Sequence, residues 1–203
     1  PSYLVAFAVG PFDIVDAGKS SKSKTPIRFA VPRGKGSEAD FAAGAAPKIL
    51  DLLEDAFGVP YPYDKLDYVV IPNLASFGAM ENAGMITMAG YATLARKGED
   101  TVRQRQQSVA FMAHESAHQW FGDLVTMAWW DDVWLNEGFA TWMERKISQQ
   151  FDASYGTELV AVEDTARTMG GDGLLSARKV RQEVTSYDDI SNAFDGITYQ
   201  KGG

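Results

Sequence analysis

Only two histidines occur in this 203-residue chain, and they stand four positions apart, at His114 and His118, with Glu115 beside the first. There is no cysteine. Disulfides, thiolate metal sites and a cysteine nucleophile are therefore excluded, and any imidazole chemistry is confined to His114-Glu115-Ser116-Ala117-His118. Residues 101 to about 121 are rich in Gln, Ala and Arg and free of Gly and Pro, which predicts a helix. Four helical residues advance about 400° and roughly 6 Å, so both rings project from nearly one face. Their nitrogens can then meet one ion at the roughly 2.0–2.1 Å typical of zinc. Glu115 lies about 100° further round, beside such an ion rather than among its ligands, where it can take a proton from water. A pair of imidazoles and an acid on a buried helix is costly without compensation, and a cation supplies it.

A catalytic zinc site usually has three protein ligands and one open position. With the histidines and cysteines exhausted, the third ligand has to be a carboxylate. Glu137, in Trp134-Leu135-Asn136-Glu137-Gly138-Phe139-Ala140, opens a second helical stretch among apolar residues, where an unpaired acid is penalised and a cation removes the penalty. An acid near a helix N-terminus is also favoured by the helix dipole alone, and Asp131 and Asp132 stand as rivals for the ligand position.

Composition narrows the remaining possibilities. Acidic residues number 27 against 19 basic, a formal charge of −8, which argues against a nucleic-acid binder. The Lys and Arg residues from Lys19 to Lys35 are interleaved with Ser and Gly and read as a solvated hairpin loop. An apolar share of 45% is ample for a packed core, and the length suits one domain rather than two. No apolar run is long enough to span a bilayer and no signal segment opens the chain, so nothing here fixes a compartment.

The rest of the chain reads as mixed structure. Residues 3–9 form an apolar run closed by Gly10-Pro11 and predict a buried strand; residues 18–25 predict an exposed turn and residues 27–31 a second strand. Ser37-Glu38-Ala39-Asp40 has the pattern of a capped helix start, and the helix should run to Gly58. Strands are expected over 66–71 and 85–88, and helices from about 135 to 150 and over 157–169. Residues 170–195 are turn-rich and without a clear assignment.

Four motifs, in order, carry a family resemblance. Gly78-Ala79-Met80-Glu81-Asn82, the His-Glu-Ser-Ala-His segment, the Glu137 that eighteen residues separate from His118, and Tyr199 in Ile197-Thr198-Tyr199-Gln200-Lys201-Gly202 together resemble the zinc aminopeptidases typified by aminopeptidase N. The opening Tyr-Leu-Val-Ala-Phe-Ala-Val-Gly is also similar, so the resemblance covers nearly the whole chain. It implies an α+β fold, the thermolysin-like metallopeptidase catalytic domain, in which a mixed β-sheet lobe (about 1–95) is followed by a helical lobe (about 100–203) with zinc at the junction.

The resemblance implies one zinc ion held by His114, His118 and Glu137. Glu115 becomes the general base, and Tyr199 the donor to the oxyanion. Gly78, Ala79, Met80, Glu81 and Asn82 become the substrate-binding segment. Glu81 would pair with the free α-ammonium of a peptide, small residues at 78 and 79 would let its backbone approach, and Phe77 would line the pocket for its first side chain. Two residues depart from the family pattern: Ser116 stands where an aliphatic residue is usual, which would loosen helix packing, and Asp123 where Asn is commoner. The opening at Pro1 and the close shortly after Tyr199 lead us to expect a truncated domain whose parent carries flanking domains. Two other readings share the motifs: a leukotriene-hydrolase-like enzyme, against which Gly78-Ala79-Met80 argues mildly, and an inactive fragment or binding module with structural zinc.

Overall fold

The computed structural model describes residues 4–74 and 78–203. Five strands form one mixed sheet: β1 (Phe12–Lys19), β2 (Pro26–Pro32), β3 (Leu66–Ile71), β4 (Ala79–Met80) and β5 (Met85–Ala89), in the spatial order β1-β2-β3-β5-β4. The three central strands β2, β3 and β5 run parallel, and each edge strand is antiparallel to its neighbour. The helices are α1 (Asp40–Phe57), α2 (Gly90–Thr93), α3 (Val102–His118), α4 (Val133–Phe151), α5 (Thr157–Asp172) and α6 (Tyr187–Asn192), followed by a π-helical turn, Ile197–Lys201.

Parallel strands need long crossovers, and α1 supplies the one between β2 and β3. Its Ala42, Ala46, Ile49, Leu50 and Leu53 recur at helical spacing and are fully buried against Ile27, Phe29 and Tyr68 of the sheet. Phe29 and Tyr68 stack with ring centroids 4.7 Å apart. α3 joins the same core through Val109, Met112, Ala113 and Ala117, and α4 through Met143 and Ile147. The histidine helix is thus pinned between the α1-covered core and α4, which fixes the direction in which its side chains point.

The strands expected over 66–71 and 85–88 and the three later helices form, with ends shifted by a few residues. The first expectation fails. Residues 5–10 have no strand partner among the described residues and are exposed, with Val5, Phe7 and Val9 at 80%, 88% and 89%. The edge of the sheet is taken instead by β1, whose sequence Phe-Asp-Ile-Val-Asp-Ala-Gly-Lys lacks clean alternation and which the sequence reading did not mark. Ser37 makes no cap either: a 3-10 turn, Gly36–Ala39, precedes α1, neither element has a side-chain cap, and Lys35 pairs with Glu38 there instead.

Ser116 does not loosen the packing. It is fully buried, and its Oγ lies 2.7 Å from the hydroxyl of Tyr68, tying the histidine helix to the central strand. Removing either partner strands a buried hydroxyl, at a cost of about 1–3 kcal/mol, whereas removing both leaves no orphan. Tyr68→Phe and Ser116→Ala should therefore each destabilise the protein in urea unfolding, and the double variant should lose less than their sum. Strict additivity would show that the two hydroxyls do not depend on each other.

Candidate metal centre

His114 and His118 leave α3 one turn apart near its C-terminal end, 8% and 1% exposed, with ring centroids 4.8 Å apart. Glu137, 5% exposed in the first turns of α4, points back at them. Its Oε2 lies 3.3 Å from His114 Nε2 and 3.5 Å from His118 Nε2. Two ligands held at about 2.0–2.1 Å from one ion, at tetrahedral angles, stand about 3.3 Å apart. Among the described residues, His114, His118 and Glu137 form one of two buried groups whose ligand atoms all lie within 4.8 Å of one another. The other is Glu81, Glu115 and His118.

The far side of each ring decides what the near side offers. His114 Nδ1 lies 3.1 Å from Oε2 of Glu144. His118 Nδ1 lies 3.0 Å from Oδ1 of Asn136 and 3.2 Å from the Phe121 carbonyl. Each Nδ1 therefore faces acceptors and carries the proton, so in a neutral ring the Nε2 lone pair faces the Glu137 carboxylate. That is acceptor against acceptor unless something positive lies between them. Either a second proton on each ring or a cation resolves it, and the arrangement of oriented histidines plus carboxylate is one that could hold a metal ion.

Without a cation, the titration follows from the same geometry. Burial lowers the proton affinity of His118, but Glu81 and Glu137 outweigh it and push the pKa up to about 9. His114 is raised for like reasons, burial being overcome by Glu137 and Glu144. Glu115, 6% exposed, is pushed to about 8 by burial, with the two histidines pulling it down and Glu81 and Glu137 pushing it up. Glu137 moves the other way: burial raises it, but the charges of His118 and His114 hold it below the usual range. Tyr199 stays protonated at all ordinary pH, because burial and then Glu137 and Glu115 raise it.

The π-helical turn carries Tyr199 to the centre. Its ring lies 6.0 Å from that of His114, and Glu137 is among the groups close enough to raise the pKa of its hydroxyl. Arg178 holds the turn by bonding Thr198 Oγ1 at 2.6 Å and Asp195. The other expected segment occupies the sheet edge. β4 holds Ala79 and Met80 with one side unpaired among the described residues, Gly78 O accepts from Ala89 N at 2.8 Å, and Asn82 Oδ1 accepts from Thr87 Oγ1 at 3.5 Å. Gly78 is tightly packed here, since a Cβ would stand 2.5 Å from the tip of the Phe111 ring and push it aside. Glu81 is 4% exposed and turned inward. Phe77 lies outside the described residues.

Four residues the sequence reading did not single out complete the centre. Asn136 orients three of its members, accepting from His118 and donating through Nδ2 to Glu81 Oε1 at 3.2 Å and to Glu137 Oε1 at 3.3 Å. Gly122, at φ 140°, leaves room for it, because a Cβ there would meet Asn136 Oδ1 at 2.3 Å. Glu144, the partner of His114, lies seven residues after Glu137 and so two turns along the same face of α4, a spacing visible in the sequence. Gln119 fixes the segment that carries Glu81 from behind: its Oε1 accepts from Gly84 N at 2.8 Å and its Nε2 donates to the Glu81 carbonyl at 3.0 Å. The rivals Asp131 and Asp132 face elsewhere, Asp131 accepting from Val184 N at 2.8 Å and Asp132 pairing with Arg181 at 2.8 Å.

Two cavities meet at His114, Glu115 and Tyr199. One, of about 400 Å³, is lined by Met80, Glu81, Glu115, Glu137, Val133 and Phe194 among others. A larger one, of about 940 Å³, runs from His114, Glu115 and Tyr199 along α3 and α5.

Comparison with known proteins gives a consistent picture. The description "Peptidase family M1 domain" matches residues 41–203. Aminopeptidase M1-A of Oryza sativa subsp. japonica is 39% identical over 201 residues, covering 99% of this chain and 23% of the relative. Probable aminopeptidase 2 of Sulfurisphaera tokodaii is 38% identical over 205 residues, covering 99% and 25%. Glutamyl aminopeptidase of Bos taurus is 37% identical over 202 residues, covering 99% and 21%. The chain thus spans about a quarter of the length of the relatives it matches.

The raised groups set a pH dependence. His118 (about 9 against 6.5), Glu115 (about 8 against 4.5) and Asp123 (about 8 against 3.8, from burial and then Glu81) all bind protons more tightly folded than unfolded. Their stabilisation is complete below the unfolded values and is lost as pH rises through the folded ones. In a chelator, the thermal midpoint should fall between about pH 6.5 and 9, and zinc should raise it more at pH 9 than at pH 6.5. A midpoint that climbs over that range in chelator would contradict the assignment.

Proposed function

The chain belongs to peptidase family M1, and from that premise we propose that it is the catalytic part of a zinc aminopeptidase, which removes the first residue from peptides with a free N-terminus. What carries the proposal is the convergence of His114 Nε2, His118 Nε2 and Glu137 Oε2, three buried donors whose neighbours leave them facing one another. We take residues 1–203 as one truncated thermolysin-like domain, with zinc where its sheet-bearing and helical halves meet, and expect the longer parent to carry flanking domains.

His114, His118 and Glu137 would hold the ion, which when bound supplies a Lewis acid at the scissile carbonyl and makes water acidic enough to react near neutral pH. Glu115, beside the ligands but not among them, takes the proton from the attacking water; the same cation favours its carboxylate form. It then returns that proton to the leaving amine, so no covalent intermediate is needed. Tyr199, held protonated, donates its phenol hydrogen to the oxygen that gains charge as the carbonyl is attacked.

Recognition comes from the sheet edge. A peptide can add to the free side of β4 as a further strand, past Gly78 and Ala79. Glu81 then meets the α-ammonium, which sets the register so that the first peptide bond lies over the metal ligands. The two cavities divide the substrate: the smaller takes the first residue and the larger the departing peptide. A purely structural metal site would need neither a buried unligated acid at Glu115 nor the phenol of Tyr199.

Hydrolysis of an aminoacyl anilide should stop with chelator and return with zinc. Glu115→Gln should keep its zinc by elemental analysis while losing about 10²–10⁴-fold in kcat, and Tyr199→Phe should lose about 10²–10³-fold in kcat with KM little changed. If Glu115→Gln also released the metal, the division between ligand and base would be wrong.

A further inference from the structure

We propose that Arg178 is a positioning residue for Tyr199: its guanidinium sets where the phenol hydroxyl stands, and so governs the rate of bond breaking, while touching neither substrate nor metal. This rests on the aminopeptidase reading above and adds a residue to that mechanism. Arg178 lines neither of the two cavities that meet at His114, Glu115 and Tyr199. It lies behind the turn, in the wall of a third cavity of about 630 Å³ that Asp195, Ile197 and Gln200 also line.

Arg178 belongs to the irregular stretch between α5 and α6 and reaches forward to the turn. Its Nε donates to Asp195 Oδ2 at 3.0 Å and its Nη2 to Asp195 Oδ1, a two-pronged pairing that suits a planar guanidinium and not an ammonium. The same Nη2 reaches the Ala193 carbonyl at 3.0 Å and Thr198 Oγ1 at 2.6 Å. Nη1 donates to the carbonyls of Lys179 at 3.0 Å and Val180 at 3.3 Å. Only 18% of the side chain is exposed, so these bonds face little competition from water.

The groups that Arg178 holds are those that shape the turn. Asp195 Oδ1 accepts from Ile197 N at 2.9 Å and from Thr198 N at 3.2 Å, and the Asp195 carbonyl accepts from Tyr199 N at 3.1 Å. Thr198, fully buried, donates its hydroxyl to the Ala193 carbonyl at 2.6 Å, which leaves the same oxygen to accept from Arg178. The three residues ending at Tyr199 therefore hang from Asp195, and Asp195 hangs from Arg178. The winding is π-helical, a rare form seen mostly as single turns and often at functional sites. Its far end is attached separately: Lys201 pairs with Asp172 at 2.7 Å, and Gly202 packs against Gly138, where a Cβ would stand 2.6 Å from its backbone. Loss of Arg178 thus frees the entry to the turn while the exit stays held, and the phenol shifts. A displacement of about 1 Å is enough to cost about 100-fold in rate.

The test uses the zinc-loaded full-length protein. Arg178→Ala should keep its zinc by elemental analysis and lose about 10–100-fold in kcat on leucine 4-nitroanilide, with KM little changed. Thr198→Val, which keeps the Arg178–Asp195 pair, should lose kcat in the same direction and serves if Arg178→Ala does not fold. Added to Tyr199→Phe, Arg178→Ala should cost nothing further, because the hydroxyl it places is gone; a merely structural arginine would lower kcat in both backgrounds. Fluorotyrosine at position 199 reads the placement without turnover: its fluorine resonance should shift or broaden in Arg178→Ala, in metal-free and zinc-loaded protein alike. Arg181→Ala, which removes the other arginine of the same stretch, bound to Asp132, should do neither. An unchanged kcat in Arg178→Ala, additivity with Tyr199→Phe, an unmoved resonance, or an equal loss in Arg181→Ala would each overturn the proposal. A resonance that moves in a protein hydrolysing no anilide would leave the placement of Tyr199 by Arg178 standing and remove the aminopeptidase reading. Hydrolysis that Arg178→Ala leaves intact would do the reverse.

Discussion

Three lone-pair donors forced to face one another in a buried place are the constraint around which this structure is arranged. His114 and His118 present Nε2 because their Nδ1 atoms are already engaged, and Glu137 presents Oε2 to both. Removed from water, such a cluster is tolerable only with positive charge at its centre. Protons can supply it, as the raised affinities of both rings record, and so can a divalent cation. The fold keeps the donors together in either case, so proton release and metal binding are two faces of one equilibrium.

Holding the donors requires two helices that cannot slide. α3 is anchored on one side by the α1-covered sheet and by the Tyr68–Ser116 bond, and on the other by α4. At its end Gln119 reaches the loop that carries Glu81, and Tyr61 adds its hydroxyl to the same amide oxygen at 3.2 Å. The sheet edge and the histidine helix are therefore registered to each other through one buried side chain. Under the proposed function, a peptide docked on β4 would thereby be registered to His114, His118 and Glu137 as well.

Much of this was legible in the sequence, and the reasons differ by residue. The four-residue spacing of the histidines reflects helix geometry, which is local, so it survives folding unchanged. Glu137 was reachable by elimination, because no other soft or imidazole ligand existed, yet spacing alone could not separate it from Asp131 and Asp132. Only the tertiary fold does so, by giving those two acids to Val184 and Arg181. The strand misplaced at residues 3–9 failed because apolar character marks what needs covering, not what covers it; β1 took the edge by pairing with β2 despite its mixed pattern. α6 stayed hidden because it is short and has no buried residues, and its capping box lies in a turn-rich stretch. Asn136 was invisible for a different reason: an amide adjacent to an acid has no sequence signature of a hub.

Asn136 also links the proposed metal centre to the residue proposed to meet the substrate amine. One amide touches His118, Glu137 and Glu81, two groups assigned to the ion and one to the ammonium. Its carbonyl end faces a ring N–H and its amino end faces two carboxylates, so the only orientation that satisfies all three is the one seen. Reversing the amide would set the oxygen against both acids and the amino group against a donor. Two of the three proposed ligands and the residue proposed to read the N-terminus are consequently held by a single rotamer. Under the proposed function, that coupling would restrict cleavage to the first bond: the carboxylate proposed to meet the α-ammonium is positioned by the same side chain that positions His118 and Glu137.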